Sequence, residues 1–425
     1  MAKHDRRKTS GQPPSSRPVT IQVPLPVLGV VNGVREAFHG LCIATGLQVL
    51  EAMMEADREA LCGPKGRHQV ERPAWRGGSV DSQVTLGGRQ VELPRLRVRS
   101  AEGEVPVASF QWAAATDPLD EHTLAAVAAG VSTRRYASTL DPVPAEVNER
   151  STSSSAVSRR FVALSAKRLQ AFLDRPLGEL DLRVVCIDGK VFRDHCMVIA
   201  LGIDTQGRKH VLGLREGATE TAAVTTGLLS DLVTRGLSTD RTLLFVVDGA
   251  AGLRRAITDV FGSRGVVQRC QVHKRRNVLG HLPERVHAPV GKALRDAWDL
   301  DSADRAARVL KRLAKSLERE HPGAAASIRE GLDETLTVQR LGLTGALQRT
   351  LRTTNIIENL NGSVEHYSRN VKRWRGGQMI QRWVASALVE AEKHFRRVRG
   401  YRDMQHLVGA LDALAPPDRM VADVA

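Results

Sequence analysis

The sequence predicts a mixed α/β domain interrupted by an all-α insertion and preceded by mainly helical modules with a small β segment. Three observations carry this. Between about residues 180 and 281, short apolar runs alternate with stretches of helical period, as in an α/β sheet. From about 283 to 349 the strand signal vanishes. Ahead of residue 180, apolar side chains recur mostly at helical spacing.

Taken in order, residues 1–24 form a basic arm rich in Ser and Pro, without the apolar stretch of a secretory signal. Region 25–115 opens with Val34, Phe38, Leu41 and Ala44, then Leu47, Leu50 and Met54, interrupted by Gly46; two short helices or one bent helix fit. Val84-Thr85-Leu86 and Gln90-Val91-Glu92-Leu93 flank Gly87-Gly88, a hairpin signal that serves as a packing element or a phosphate-contacting wing. In region 116–178, Leu124, Val127 and Ala128 share one helical face, Gly130 breaks it, and Ser132 can cap a second helix carrying Arg134, Arg135 and Tyr136. That is the outline of a helix-turn-helix, whose second helix would enter a major groove. A Pro- and Ser-rich linker over 141–155 leads to a helix bearing Arg159 and Arg160; it ends near Leu164, and Ser165 opens the next. Paired arginines in a chain this basic point to DNA contact, with plain bundle packing as the alternative.

Region 179–282 reads as strands 183–187, 196–202 and 209–214 in an antiparallel meander. A helix over 219–234, a strand 242–247, a helix 252–261 and a strand 266–272 follow. This is the strand order of the ribonuclease H-like fold. In the insertion, 283–350, Asp301-Ser302 caps a helix whose Ala306, Val309, Leu310, Leu313 and Leu317 form one apolar face. Region 351–400 begins with a long helix near Thr353-Thr354-Asn355 and completes the core, leaving 401–425 as a tail.

The 425-residue chain carries a formal net charge of +15 and a pI of about 10.1. Its basic residues are spread along the whole length, as in proteins that meet a polyanion, because Lys and Arg release counterions condensed on a phosphate backbone. At 42% hydrophobic the chain builds real cores, which excludes broad disorder. Five scattered cysteines exclude a disulfide framework and point to a reducing cytosol. No apolar run is long enough to span a membrane. With aromatics at 4%, stacking of bases on rings does not dominate recognition.

Two apolar strands end in an acid followed by glycine, Cys186-Ile187-Asp188-Gly189 and Phe245-Val246-Val247-Asp248-Gly249. One such Asp-Gly pair is a turn former. Two on adjacent strands, joined by Glu358 one turn into the late helix, make a site for divalent metal. Glu358 is preferred to Glu365 because its neighbours are Asn and apolar residues, and Gly362 at i+4 leaves room beside it. In-line attack on a phosphodiester uses two Mg²⁺ or Mn²⁺ ions roughly 3.5–4 Å apart, and such ions take hard oxygen ligands. Asp188, Asp248 and Glu358 are therefore the candidate catalytic and metal-binding residues. Cys270-x-x-His273 has no second ligand pair, so zinc is not expected and a supporting role beside the site is the better reading. Lys274, Arg275 and Arg276, then Arg352, and further on Arg369, Lys372, Arg373 and Arg375, are candidate contacts to a DNA backbone. Trp374 either stacks on an unpaired base or plugs the sheet, while Trp383 and Phe395, on the following helix, are core.

The blocks around Asp188 and Asp248, with Gln268-Arg269-Cys270-Gln271-Val272-His273-Lys274-Arg275-Arg276-Asn277 and Arg352-Thr353-Thr354-Asn355-Ile356-Ile357-Glu358-Asn359-Leu360-Asn361, resemble Mutator-type bacterial insertion-sequence transposases. The resemblance runs from about residue 120 to about 400. It implies an RNase H-like catalytic domain in which Asp188, Asp248 and Glu358 form a DDE triad, with the all-α insertion between the second Asp and the Glu. It also implies that Cys270 and His273 are a signature on the strand after Asp248. The activity it implies is Mg²⁺-dependent cleavage and strand transfer at terminal inverted repeats. Double-stranded DNA, ends and target alike, is the implied partner of a homodimer or larger assembly in the bacterial cytoplasm, nucleoid-associated and without a membrane. A structure-specific nuclease or resolvase on the same fold is one alternative, against which the long insertion and the N-terminal modules speak. A non-catalytic DNA-binding regulator derived from a transposase is another, against which the three acids speak.

Overall fold

The computed structural model describes residues 34–66, 73–115, 117, 127, 131–136, 140, 149–150, 153–217, 219, 221–369 and 371–414. The basic arm, the first helix of the expected helix-turn-helix apart from Val127, most of the linker and the end of the tail lie outside the described residues. The chain divides into two compact units, one of residues 1–127 with 131–161, the other of 128–130 with 162–425.

In the first unit, α1 (Val34–Cys62) is one 29-residue helix. Gly46 does not interrupt it; a Cβ there would stand 3.1 Å from Leu86 Cδ2, so the glycine admits a close neighbour. Strands β1 (Trp75–Val80), β2 (Gln83–Leu86), β3 (Arg89–Glu92), β4 (Arg95–Ser100) and β5 (Gly103–Val105) follow, then α2 (Ala108–Ala115) and β6 (Glu149–Arg150). They form two antiparallel sheets, ordered β1-β4-β5 and β2-β3-β6. The expected hairpin is present: Gly87 and Gly88 both take positive φ, 62° and 81°, as a two-residue turn requires. Both of their N–H groups donate to Asp117, at 2.8 and 2.7 Å. Ile43, Leu50, Met54, Val84, Val91 and Val98 make the core.

Three expectations for this part of the chain are corrected. Residues 133–135, placed in a second DNA-reading helix, form a turn, although the Ser132 hydroxyl accepts the Arg135 N–H as the expected cap would, and residues 137–139 lie outside the described residues. Tyr136 beyond it is buried. Glu149 and Arg150, placed in the linker, pair with β3. The helix expected to end near Leu164 continues as α3 (Ser154–Leu173): Ser165 is buried and its hydroxyl donates to the Val162 carbonyl, so it bonds back into the helix instead of starting a new one.

The second unit is built on β7 (Leu182–Phe192), β8 (His195–Asp204), β9 (Lys209–Gly217), α4 (Ala222–Thr234), β10 (Leu243–Val247), α5 (Ala251–Phe261), β11 (Gly265–Arg269) and α6 (Gln271–Gly280). The sheet order is β11-β10-β7-β8-β9, with an antiparallel β7–β9 meander, as expected, and β10 parallel to both β7 and β11. The insertion contributes α7 (His287–Trp298), α8 (Ala303–Leu317), α9 (Pro322–Arg329), α10 (Thr337–Arg340) and α11 (Gly345–Leu351). The chain then adds α12 (Asn355–Ser368), α13 (Gly377–Glu392) and α14 (Met404–Ala413). Ser302 caps α8 by accepting the Arg305 N–H, and Ala306 and Leu310 join Val290, Leu294, Trp298 and Ile328 in a core of the insertion's own.

Strand periodicity sorts the sheet's two faces. Val185, Ile187, Phe245 and Val247 pack with Leu228 and Leu229 of α4 and Leu253 and Ile257 of α5. Val184, Cys186, Leu244 and Val246 pack on the other face with Ile357 and Leu360 of α12 and Val384 and Leu388 of α13.

Candidate active site

The same alternation places the acids. Asp188 is two residues past Cys186 and Asp248 two past Val246, so both belong to the face covered by α12. Val246 is level with Cys186 in the β10–β7 register. Continued by two residues past the end of β10, that register would bring Asp248 level with Asp188. Asp188 is not the last residue of its strand, contrary to expectation, because β8 stays paired with β7 through Phe192. The opening comes instead from β10, which stops at Val247, so Asp248 follows the strand end while β7 runs on past Asp188.

Helix α12 closes the site. Asn361 donates from Nδ2 to Asp188 Oδ2 at 2.7 Å. Glu358 lies one turn earlier on the same face, and its Oε1 accepts the Thr354 hydroxyl at 2.7 Å. Gly362 has open space where a Cβ would stand. The rival acid, Glu365, is spent on an ion pair with Lys190.

Cys270 and His273 are not on a strand. β11 ends at Arg269, the Cys270 N–H bonds the Val247 carbonyl at 2.8 Å, and Cys270 then caps α6 with His273 in the first turn. The bond to Val247 ties this corner to the residue before Asp248. Thr354 is the hub. Its hydroxyl stands 3.3 Å from Cys270 Sγ, 3.3 Å from His273 Nδ1 and 2.7 Å from Glu358 Oε1, while its N–H points at the sulfur from 3.4 Å. Burial pushes the Cys270 thiol up, yet hydrogen bonds from His273 and Thr354 bring it below its ordinary value. His273 is raised, first by its bond to Cys270 and against its own burial, with Glu358 and Asp248 adding negative charge. On the neighbouring strand, burial and then Asp188 push Cys186 up to about 12, which keeps it an inert thiol.

The three carboxylates, from β7, the residue after β10 and α12, are hard oxygen donors of the kind a divalent cation takes, though among the described residues they do not gather within 4.8 Å of one another. Asn361 Oδ1 adds a buried oxygen without a hydrogen-bond partner. The Cys270, His273 and Glu358 ligand atoms also lie within 4.8 Å of one another, a softer trio whose centre the Thr354 hydroxyl already bonds.

Gly249 turns the chain out of β10 at φ +99°, and an added Cβ would run into the Arg269 guanidinium. Gly249→Ala is expected to cost about 1–3 kcal/mol, the usual range for backbone strain of this kind. Urea titration of both proteins checks this, and an unchanged midpoint would refute it.

The basic candidates separate by placement. Lys274 departs from the surface position expected of it: it is buried, with its ammonium on the Glu330 carbonyl and carboxylate. It faces inward because the first turn of α6 packs against the end of α9. Arg160 likewise turns inward, to Gly88 O at 2.7 Å and Thr85 Oγ1 at 3.1 Å, and so braces the hairpin. Arg352 is paired with Asp299 at 2.5 Å, and Arg275 is half-buried. Arg134, Arg135, Arg159, Arg276, Arg369, Lys372, Arg373 and Arg375 are exposed. Trp374 packs edge-on to Phe192, centroids 5.4 Å apart, so it plugs the sheet. Phe395 packs against the core from the segment after α13, not on that helix, and Trp383 is half-buried on it.

Comparison with known proteins decides what kind of chain this is. The sequence profile of the family described as Transposase, Mutator family, matches residues 36–398. The chain belongs to the Mutator family of transposases. Members of that family are enzymes that cleave and join nucleic acid, so a DNA-facing catalytic face is expected of this transposase. It is similar to the transposase for insertion sequence element ISRM5 of Rhizobium meliloti, 29% identical over 385 residues, 88% of this chain and 92% of that one. It is 31% identical over 281 residues to the transposase for insertion sequence element IS406 of Burkholderia multivorans, 64% of this chain and 70% of that one. The transposase for insertion sequence element IS1081 of Mycobacterium tuberculosis is 26% identical over 389 residues, 86% of this chain and 88% of the relative. Among the described residues of this transposase, no helix is long and apolar enough to cross a membrane.

The motifs legible beforehand missed two residues. Asn361 was visible only as the last letter of a motif, and its i+3 spacing from Glu358 was the available signal. Thr354 read as a helix cap, yet it makes no capping bond and spends its hydroxyl on Glu358.

Proposed function

We propose that this chain is a DDE transposase on an RNase H-like sheet. It cuts DNA at the terminal inverted repeats of an insertion sequence and joins the ends to target DNA with Mg²⁺ or Mn²⁺. The observation that carries the reading is the Asn361–Asp188 hydrogen bond, which sets the helix bearing Glu358 against the strand beside Asp248. The sheet order, three antiparallel strands followed by two parallel ones, supports the fold assignment.

Asp188 on β7 and Asp248 just past the end of β10 would hold a pair of divalent ions jointly, and Glu358 would complete the set from α12. Such ions activate the attacking oxygen and stabilise the leaving one. Asn361 fixes the Asp188 carboxylate by its amide, and Thr354 fixes Glu358 by its hydroxyl. His273, its affinity for a proton raised first by its bond to Cys270, lies 3.8 Å from Glu358 Oε1, with Glu358 and Asp248 adding to the shift. The exposed Arg276, Arg369, Lys372, Arg373 and Arg375 are suited to backbone phosphates, and Arg134, Arg135 and Arg159 to DNA held by the first unit. Two ends held together imply a dimer or larger assembly, acting at the bacterial nucleoid.

The test is a reaction of purified chain with duplexes carrying the element's ends and a supercoiled target. Mg²⁺ should give both nicked ends and joined products, and EDTA neither. Nicks without joined products favour a nuclease, and binding without either favours a regulator. Thr354→Val should lower cleavage about 10–100-fold, the usual effect of removing a group that orients a metal ligand, with Thr354→Ser restoring most of it. A Thr354→Val rate equal to wild type removes the hub from the mechanism.

A further inference from the structure

Helix α12 has a second flank. Glu358 and Asn361 face β7 and α6, whereas Asn355, Ile356 and Asn359 line a groove of about 570 Å³ on the other side. Five cations converge there, Lys209, Arg349, Arg396, Arg397 and Arg399, and no Asp or Glu lines it. Among the described residues none of the five forms an ion pair; Lys209 lies 4.6 Å from the Phe395 ring centre and Arg397 5.1 Å from that of Tyr401. Burial also holds the Lys209 ammonium below its ordinary value. A smaller groove of about 220 Å³ shares Lys209, Ile356 and Asn359 and runs on to Ser363 and Tyr367.

Like charges gathered in one concavity repel each other until counter-charge arrives, and a low-dielectric wall sharpens their field. The run from Asn355 to Tyr367 is roughly 18 Å at helical rise. That length spans about five base-pair steps along a duplex axis. Contacts of Arg and Lys to phosphate carry no base information. We infer that this groove holds the backbone of duplex DNA irrespective of sequence, on the flank of α12 turned away from the acidic site. The inference rests on the reading of the chain as a DNA-acting enzyme. An acidic protein segment is the competing occupant.

The experiment measures binding of the full chain to a fluorescent duplex of arbitrary sequence, in EDTA, across a salt series. Arg349→Ala/Arg396→Ala/Arg399→Ala should reduce the slope of log affinity against log salt by about 2–3, at about 0.9 per phosphate contact. The matching triple Arg→Lys chain should keep the wild-type slope, which separates lost charge from lost folding. Arg254→Ala/Arg329→Ala/Arg340→Ala removes as many charges from residues held in ion pairs, and should change the slope by less than about 1. An unchanged slope in the groove triple, or an equal loss in the control, overturns the inference. So does a groove triple that loses affinity for polyglutamate but not for DNA, which assigns the groove to an acidic segment. Because no metal is present, failure of the cleavage reading leaves this measurement standing.

Discussion

Asp188→Asn is expected to lower DNA cleavage by about 10³-fold or more, since each 1.36 kcal/mol is tenfold and a metal carboxylate supplies several. The substitution keeps the side chain's shape and its place against Asn361 but removes the charge that would hold two cations. Glu358→Gln should fall similarly, because the amide still accepts from Thr354 while ceasing to be a strong metal ligand. Single-turnover cleavage in saturating Mg²⁺, beside duplex binding in EDTA, checks this. The decisive pattern is lost cleavage with retained binding. Undiminished cleavage by pure Asp188→Asn chain sinks the triad.

Glu330→Ala is expected to destabilise the second unit by about 2 kcal/mol, below the 3–5 typical of a broken buried pair because the carboxylate is more than half exposed. One carboxylate serves two buried cations, Arg269 at 2.9 Å and Lys274 at 3.1 Å, and its loss leaves each hydrogen-bonded to the Glu330 backbone oxygen, with the Glu334 charge acting on Lys274 from farther off. The Arg269 hydrogen bond, against partial burial and with help from Lys274, holds the Glu330 carboxyl down at about 2. A depressed acid contributes its full stability above its unfolded value and loses it as pH falls through the folded one. The contribution should therefore fade between about 4.5 and about 2. Denaturant unfolding of wild type and Glu330→Gln over that range tests it: the wild-type curve should fall more steeply, and parallel curves would exclude the carboxyl. Arg269 also fills the space beside Gly249, so this ion cluster supports the turn that carries Asp248.

Local periodicity made the sheet legible. Short continuous apolar runs followed by Asp-Gly announced β7 and β10, a Gly-Gly pair between alternating residues announced the β2–β3 hairpin, and a capped 3.6-period stripe announced α8. These signals are short-range, and backbone preference together with burial decides them within a few residues. Ser165 misled for the same reason. A serine can cap a helix, close a turn or bond back into a helix, and the residues around it in sequence do not choose between these.

By itself the sequence determined which strands and which family, and it singled out the acids on which the proposed site rests. The tertiary structure decided which partners those residues keep. Lys274 and Arg276 are two letters apart in one basic run, yet one is buried on Glu330 and the other faces solvent, because helical geometry turns them 200° apart and only one side meets α9. Thr354 meets Cys270 and His273 across a gap that contains the whole insertion. Asn361 reaches Asp188 only because α12 lies on that face of the sheet. Contacts between residues far apart in the chain depend on how elements pack, and no local pattern encodes them.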